Sequence, residues 1–318
     1  MKKTACFLVI LLVAGMVACT PDTSRVGREA PPYIETGVDP EGWALVPVGE
    51  FLKGHHLEET MVDYDYEIMV THVTNAQYAA YLNEALAAGT IKVVDDAVMG
   101  YYPGDEFQGY NHEFEVPAGD KLHVPLGKAG LRILFGGEKF TVQKGFENHP
   151  VVMVTWFGAK AYCDFRGLRM PTEVEWEKAA RGTDERPYPW GEEITLNHAN
   201  FHSSRHAVSE KFGDYVFTTP VGLYNGRTYG DFKTENALSP YGVYDMAGNA
   251  WQWTGDDYPY THLRFMRGGS SANYEYNLRV WRNNSAARDH YGMNIGFRCV
   301  RDVGEKPPVI ETEAGAGH

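Results

Sequence analysis

The sequence predicts a mixed domain of short helices and short strands in which irregular backbone outweighs both. Three observations carry this. Two capped helical stretches lie close together at residues 155–182, strand-like runs are short and scattered, and from Pro187 to about residue 300 the chain is rich in Gly, Pro, Trp, Tyr and Asn with little periodicity. Within 318 residues, 43% hydrophobic and 13% aromatic content is ample for a packed core.

Residues 1–19 read as an export leader, with a basic start at Lys2 and Lys3, an apolar run at 7–13 and small residues before Cys19. Met16-Val17-Ala18-Cys19 resembles a bacterial lipobox, in which Cys19 is lipidated and becomes the mature N-terminus. Acyl chains bury methylene groups in one leaflet, so the protein is expected to be exported and held on a membrane, facing periplasm or cell surface. Residues 20–40, rich in Pro, Gly and charge, read as a flexible tether. The folded domain is expected over 41–303, with 304–318 a flexible tail.

Within the domain, residues 43–54 alternate around a Pro and two glycines and read as an edge strand and turn; 68–73 is a second strand. Thr74 caps a helix along which Tyr78, Tyr81, Leu82, Ala85 and Leu86 recur until Gly89 ends it. Residues 93–148 read as a mostly irregular insertion lining a surface, with β-like runs at 132–135 and 140–143. A short strand at 150–154 leads to Thr155, which caps a helix with Phe157, Ala161, Tyr162 and Phe165 facing inward; Gly167 stops it. Thr172 and Glu175 form a capping box in which each side chain satisfies an orphan backbone N–H. Val174, Trp176 and Ala180 give that helix its apolar side, and Gly182 ends it. Later strand-like patches fall at 242–244, 251–254 and 296–300.

Charge narrows the function. A net charge of −13 without a Lys/Arg block excludes nucleic acid as a partner, because a binder needs a clustered basic surface to displace counterions. Of four cysteines, Cys6 and Cys19 belong to the leader. In an oxidising compartment Cys163 and Cys299 read as one disulfide closing a long loop, with a reactive free thiol as the alternative.

Six stretches then come in a fixed order: Asn148-His149-Pro150-Val151-Val152-Met153-Val154-Thr155-Trp156; Gly167-Leu168-Arg169-Met170-Pro171-Thr172-Glu173-Val174-Glu175-Trp176; Tyr188-Pro189-Trp190-Gly191; Gly242-Val243-Tyr244-Asp245-Met246-Ala247-Gly248-Asn249-Ala250-Trp251-Gln252-Trp253; Arg267-Gly268-Gly269-Ser270; and Gly296-Phe297-Arg298-Cys299. This succession is similar to the formylglycine-generating enzyme (sulfatase-modifying factor) domain. The resemblance covers about residues 45–302 and implies an α+β variant of the C-type lectin fold, low in regular secondary structure. Enzymes of that family oxidise a Cys of a sulfatase with copper held by two cleft cysteines, and soft thiolates suit Cu(I). The matching positions here are Asn273 and Leu278, so neither catalytic cysteines nor copper are expected. The resemblance also implies a Cys163–Cys299 disulfide and two calcium sites. One maps to Asp245, Gly248, Ala250 and Gln252, the other to Asn200, Phe201 and Asp214, all with hard oxygen donors.

Other constellations are weaker. His198, His202 and His206 have the spacing of helix-face metal ligands, but Asn197, Asn200, Ser203 and Ser204 make poor helix, so they read as loop histidines. Tyr274, Tyr276 and Trp281 with Arg279, Arg282 and Arg288 offer stacking faces and forked donors for peptide, carbohydrate or anionic ligands. The expected function is a lipoprotein whose cleft, Ser270, Asn273, Tyr274, Arg282 and Arg288, binds a protein, peptide or carbohydrate without oxidase chemistry. The alternatives are an enzyme that modifies a protein partner by different chemistry, and a retroelement-diversified lectin-fold binder, since residues 271–294 are similar to the variable loop of such proteins.

Overall fold

The computed structural model describes residues 30–106, 109, 114–213, 217–259 and 261–304. The leader with Cys19, most of the tail, and Asp214 lie outside the described residues. The tether ends earlier than residue 40. Ile34 and Thr36 are buried, and their carbonyls accept from Asn148 Nδ2 at 2.7 Å and Arg227 Nη1 at 2.7 Å respectively.

The two ends of the domain meet in one sheet. Strand β1 (Trp43–Val46) and β16 (Val300–Asp302) flank β4 (Tyr66–Met69), both antiparallel to it, with Val300 opposite Ile68. Between β1 and β4, β2 (Gly49–Lys53) and β3 (Glu58–Val62) make a hairpin. The expected strand at 68–73 stops at Met69, because Val70 and Val73 send their N–H groups to two unrelated segments, Gly42 and Phe297.

Local signals place the helices well. In α1 (Asn75–Ala87) the Thr74 hydroxyl accepts the Gln77 N–H at 3.2 Å, and Gln77 Oε1 accepts the Thr74 N–H at 2.8 Å. Helix α2 (Trp156–Phe165) is capped by Thr155, and α3 (Glu173–Arg181) by the Thr172–Glu175 box. Phe165 does not face inward; it is 36% exposed, and Tyr162 takes the core position. A helix the sequence does not announce, α4 (Arg205–Phe212), follows the second site region where a loop was expected.

Residues 93–148 are more regular than their composition indicates. Strands β5 (Ile91–Val94), β6 (Ala97–Tyr102) and β7 (Gly119–Pro125) form an antiparallel sheet, followed by the hairpin of β8 (Ile133–Phe135) and β9 (Phe140–Val142). Conversely, 150–154 and 242–244 form no strand: Met153 and Gly242 have positive φ, Pro150 makes only an isolated bridge with Thr74, and Val151 bonds Val73, Met153 bonds Gly292 and Tyr244 bonds Val70. After the two-residue pair β10 (Thr228–Tyr229) and β11 (Phe232–Lys233), the sheet that positions the site has the order β14-β13-β12-β15. Here β12 (Trp251–Asp257), β13 (Leu263–Arg267) and β14 (Asn283–Ala287) are antiparallel, and β15 (Ile295–Phe297) runs parallel to β12.

The core joins these parts. Tyr78 stacks on Tyr162 at 5.7 Å and Phe297 meets Tyr162 edge-on at 5.4 Å. Beside them Cys163 of α2 is bonded to Cys299, with the Cα atoms 5.8 Å apart and 136 residues of separation. One bond therefore ties the first half of the domain to its last strands.

Candidate functional site

The cleft loop begins where β13 ends, at Arg267. That side chain is fully buried; it pairs with Glu173 at 3.0 Å and with Glu177, both on α3. Its Nη1 and Nη2 also donate to the carbonyls of Trp281 at 3.2 Å and Val280 at 2.8 Å, so α3 and the far end of the loop are fixed through one guanidinium. The next two residues have to be glycine. Gly268 and Gly269 have φ of +93° and +70°, and a Cβ on Gly269 would stand 2.9 Å from the Asn277 carbonyl oxygen.

Ser270 is fully buried beneath the loop. Its hydroxyl donates to Asn273 Oδ1 at 2.6 Å and accepts from Asn294 Nδ2 at 2.9 Å. The Asn273 carbonyl accepts the His202 N–H at 2.9 Å and its N–H donates to the Ser270 carbonyl at 2.9 Å, so the residue matching the family's first copper cysteine is held by two backbone bonds and by one to its side-chain amide oxygen. Leu278, at the second position, is fully buried against Tyr188, Ala199, Phe201 and Ala247. Tyr274 is 57% exposed, and its ring packs on His202 with centroids 4.1 Å apart. Arg282 is half-buried, with its guanidinium carbon 4.4 Å from the centre of the Tyr276 ring.

Arg288 does not belong to this group. It is buried at the end of β14, paired with Asp105 and with Asp257 at 2.8 Å, beside Arg264 and the Trp156 ring. It lines a separate cavity of about 230 Å³ with Phe114, Val116, Phe157 and His262. The strand between Arg282 and Arg288 carries the two arginines to different ends of the sheet, a consequence of tertiary pairing that spacing alone does not reveal.

The donors assigned to calcium at Asp245 do not converge. Gln252 Oε1 already accepts from Trp176 Nε1 at 2.8 Å and Arg298 Nε at 2.7 Å, while its Nε2 donates to the Asp245 carbonyl at 3.0 Å. The Ala250 carbonyl is engaged by His72 Nε2 at 3.0 Å, Gly248 donates its N–H to the Gly268 carbonyl, and Asp245 Oδ2 accepts the Gly222 N–H at 2.7 Å. A buried guanidinium, Arg298, sits among these carbonyls in place of a cation, and as placed the four residues do not fit a calcium ion. Burial raises the Asp245 carboxyl to about 6 and lowers Arg298 to about 9.

At the other position Asn200 Nδ2 donates to the Phe217 carbonyl at 3.0 Å, and the Phe201 carbonyl accepts the Ser204 N–H at 3.1 Å; the carboxylate expected there, Asp214, is outside the described residues. Among the described residues no group of three or more His, Cys, Asp or Glu side chains is placed to hold a metal. The three histidines diverge: His198 stacks on Trp190 at 4.9 Å, His202 packs on Tyr274, and His206 pairs with Glu210 on exposed α4.

The sequence reading missed His202, Asn294 and His55 as parts of the cleft. His55 stands 5.4 Å from the Trp281 ring, reached from the β2–β3 hairpin. Their contacts with the cleft come from segments distant in sequence, which spacing along the chain does not reveal. Without thiolates, the loop's chemical assets are aromatic faces and oriented N–H donors.

Comparison with known proteins decides the relationship. A family model described as a sulfatase-modifying factor enzyme 1-like domain matches residues 34–303. The chain belongs to this family. The formylglycine-generating enzyme of Thermomonospora curvata is 28% identical over 331 residues, covering 92% of this chain and 94% of that protein. The inactive C-alpha-formylglycine-generating enzyme 2 of Bos taurus is 35% identical over 168 residues, covering 50% of this chain and 52% of its own, so the match spans about half that relative's length. PvdO from Pseudomonas aeruginosa superposes with a TM-score of 0.52 at 22% identity, over 87% of this chain and 100% of that one. The fold of this family member is the α+β fold of the sulfatase-modifying factor domain, low in regular secondary structure.

Proposed function

We propose that this member of the sulfatase-modifying factor family is an exported lipoprotein, anchored to a membrane through Cys19, whose cleft binds a protein or peptide ligand without copper oxidase chemistry. One observation carries the reading: among the described residues no thiol reaches the cleft. Asn273 and Leu278 stand at the family's copper positions, one locked by hydrogen bonds and the other packed in the core, and Cys163 and Cys299 are bonded to each other. Cu(I) selects soft sulfur ligands, and oxygen and amide donors do not replace them.

The rim supports recognition. Tyr274 and Tyr276 are 57% and 49% exposed beside Arg279 and Arg282, a composition typical of contact surfaces. Export and the anchor rest on the leader alone; among the described residues no helix is long and apolar enough to cross a membrane. Calcium enters the proposal only at Asn200, Phe201 and Asp214.

The test is copper titration of the detergent-solubilised full chain together with a Cys-containing sulfatase-type peptide, followed by a pull-down with and without calcium. We expect no stoichiometric Cu(I) binding, no peptide aldehyde, and ligand capture that Tyr274→Ala weakens. Stoichiometric copper with oxidation of the peptide would overturn the reading.

A further inference from the structure

The turn from Arg279 to Arg282 carries two guanidinium groups and, among the described residues, no carboxylate paired with either. The Arg282 N–H closes the turn on the Arg279 carbonyl at 2.8 Å. Both guanidinium carbons face one ring: Arg279 lies 5.2 Å and Arg282 4.4 Å from the centre of Tyr276, and Arg279 is also 5.6 Å from the Trp281 ring. Cation–π contact holds the heads in place but uses none of their in-plane N–H groups.

Apart from one that Arg279 shares with the Tyr188 hydroxyl, those N–H groups remain to be used. Arg279 Nε, Arg282 Nε and Trp281 Nε1 are buried donors without an acceptor. Buried donors are nearly always paired, so three unpaired ones within four consecutive residues mark a place where acceptors arrive from outside. The turn does not adjust to find them internally. Arg267 grips the carbonyls of Val280 and Trp281 from below, the Val280 N–H is bound to the Pro187 carbonyl at 2.8 Å, and the Arg181 guanidinium lies 5.1 Å from the underside of Trp281. The site is preorganised.

We propose that Arg279, Arg282 and Trp281 form a receptor for one oxyanion group, a carboxylate or a sulfate, carried by the ligand of the cleft. The proposal rests on the reading of this loop as a ligand-binding cleft and names what it binds. Guanidinium forks match the two oxygens of such a group, and the indole N–H supplies a further donor. The net charge of −13 limits the class: long-range repulsion works against a polyanion, so contact geometry favours a single anionic group. Tyr276, half-exposed, and His55 against Trp281 add flat faces beside these donors.

The test is arginine labelling of the full chain in detergent with phenylglyoxal, read by peptide mass spectrometry in chloride, acetate or sulfate at equal ionic strength. Acetate or sulfate is expected to slow labelling of Arg279 and Arg282 several-fold relative to chloride, while exposed Arg205 labels equally in all three. Trp281→Phe, which keeps the ring and removes the N–H, is expected to reduce the protection. Protection by acetate alone assigns a planar carboxylate, by sulfate alone a tetrahedral group, and either supports the site. Equal labelling of Arg279 and Arg282 in the three salts overturns it. The readout is independent of copper, so loss of protection and gain of copper binding are separate failures: the first removes the oxyanion site, the second the non-oxidase reading.

Discussion

Arg298 and Gln252, both fully buried, are joined by a hydrogen bond in which the guanidinium Nε–H donates to the amide Oε1 at 2.7 Å. The same amide holds the Trp176 indole and the Asp245 carbonyl, so three partners depend on its having one acceptor and one donor end. Gln252→Glu keeps the shape and removes the donor, setting a carboxylate oxygen against the Asp245 carbonyl at what is now 3.0 Å. Losing a buried hydrogen bond in this way costs about 1–3 kcal/mol. Urea unfolding of Gln252→Glu is expected to show that loss; a variant as stable as the parent would mean the amide is not the organising group.

Acid should unfold the protein early. Burial holds His72 and His149 near 3 and His123 near 4, with Arg298 and Arg132 adding repulsion at the first two. Their folded values lie below the unfolded value of about 6.5, so the stability they confer is complete above that pH and is lost as pH falls toward 4. Asp245 acts in the opposite sense, because its raised value of about 6 makes the folded state hold a proton the unfolded chain releases. Three histidines against one aspartate leave a net uptake of two protons on unfolding, about 3 kcal/mol per pH unit near pH 5. Urea midpoints measured at pH 7, 6 and 5 should fall steeply over the last interval; a flat profile would contradict the burial of these rings.

The legible and illegible parts of this molecule divide by range. Thr74, Thr155 and Thr172 announced their helices because a cap is satisfied within three residues, and the structure shows each bond. Residues 93–148 were not legible in this way, because β6 finds β7 across a connection with no pattern of its own, and Asp105 from that segment is what draws Arg288 away from the cleft. At Asp245 the sequence showed plausible oxygen donors, while the hydrogen bonds that occupy them come from His72, Trp176 and Arg298 on other elements. Motif order was enough to assign the family, and only three-dimensional pairing told which site residues meet.

Reduction should cost much of the stability. The Cys163–Cys299 bond closes a loop with 136 residues of separation, and the chain-entropy treatment gives about 5 kcal/mol for a loop of that size. Both sulfurs are buried, so a reductant acts slowly on the native state. The double variant Cys163→Ala/Cys299→Ala is therefore the cleaner measurement, and its urea midpoint should drop sharply. A midpoint equal to that of the parent would show that core packing around Tyr78, Tyr162 and Phe297 carries this region alone.

Arg267 is expected to be the residue on which the cleft depends most. Its guanidinium pairs with Glu173 and Glu177 and holds the carbonyls of Val280 and Trp281, all within the fully buried frame beneath the loop. Arg267→Met removes the charge and leaves both carboxylates with one cation each, Lys53 at 3.2 Å for Glu173 and Arg181 at 3.1 Å for Glu177. Breaking a buried pair from one side costs about 3–5 kcal/mol, and here each carboxylate keeps one cation where it had two. Adding Glu177→Gln to Arg267→Met leaves the fully buried Arg181 without this carboxylate, and both single changes break the same Arg267–Glu177 pair, so the double variant should lose less than the sum of the two single variants. Urea unfolding of the parent, both single variants and the double variant measures this coupling directly. Additive losses would show that Glu177 is answered well enough by Arg181 and that Arg267 acts through the Val280 and Trp281 carbonyls instead, in which case Arg267→Lys should restore stability only in part.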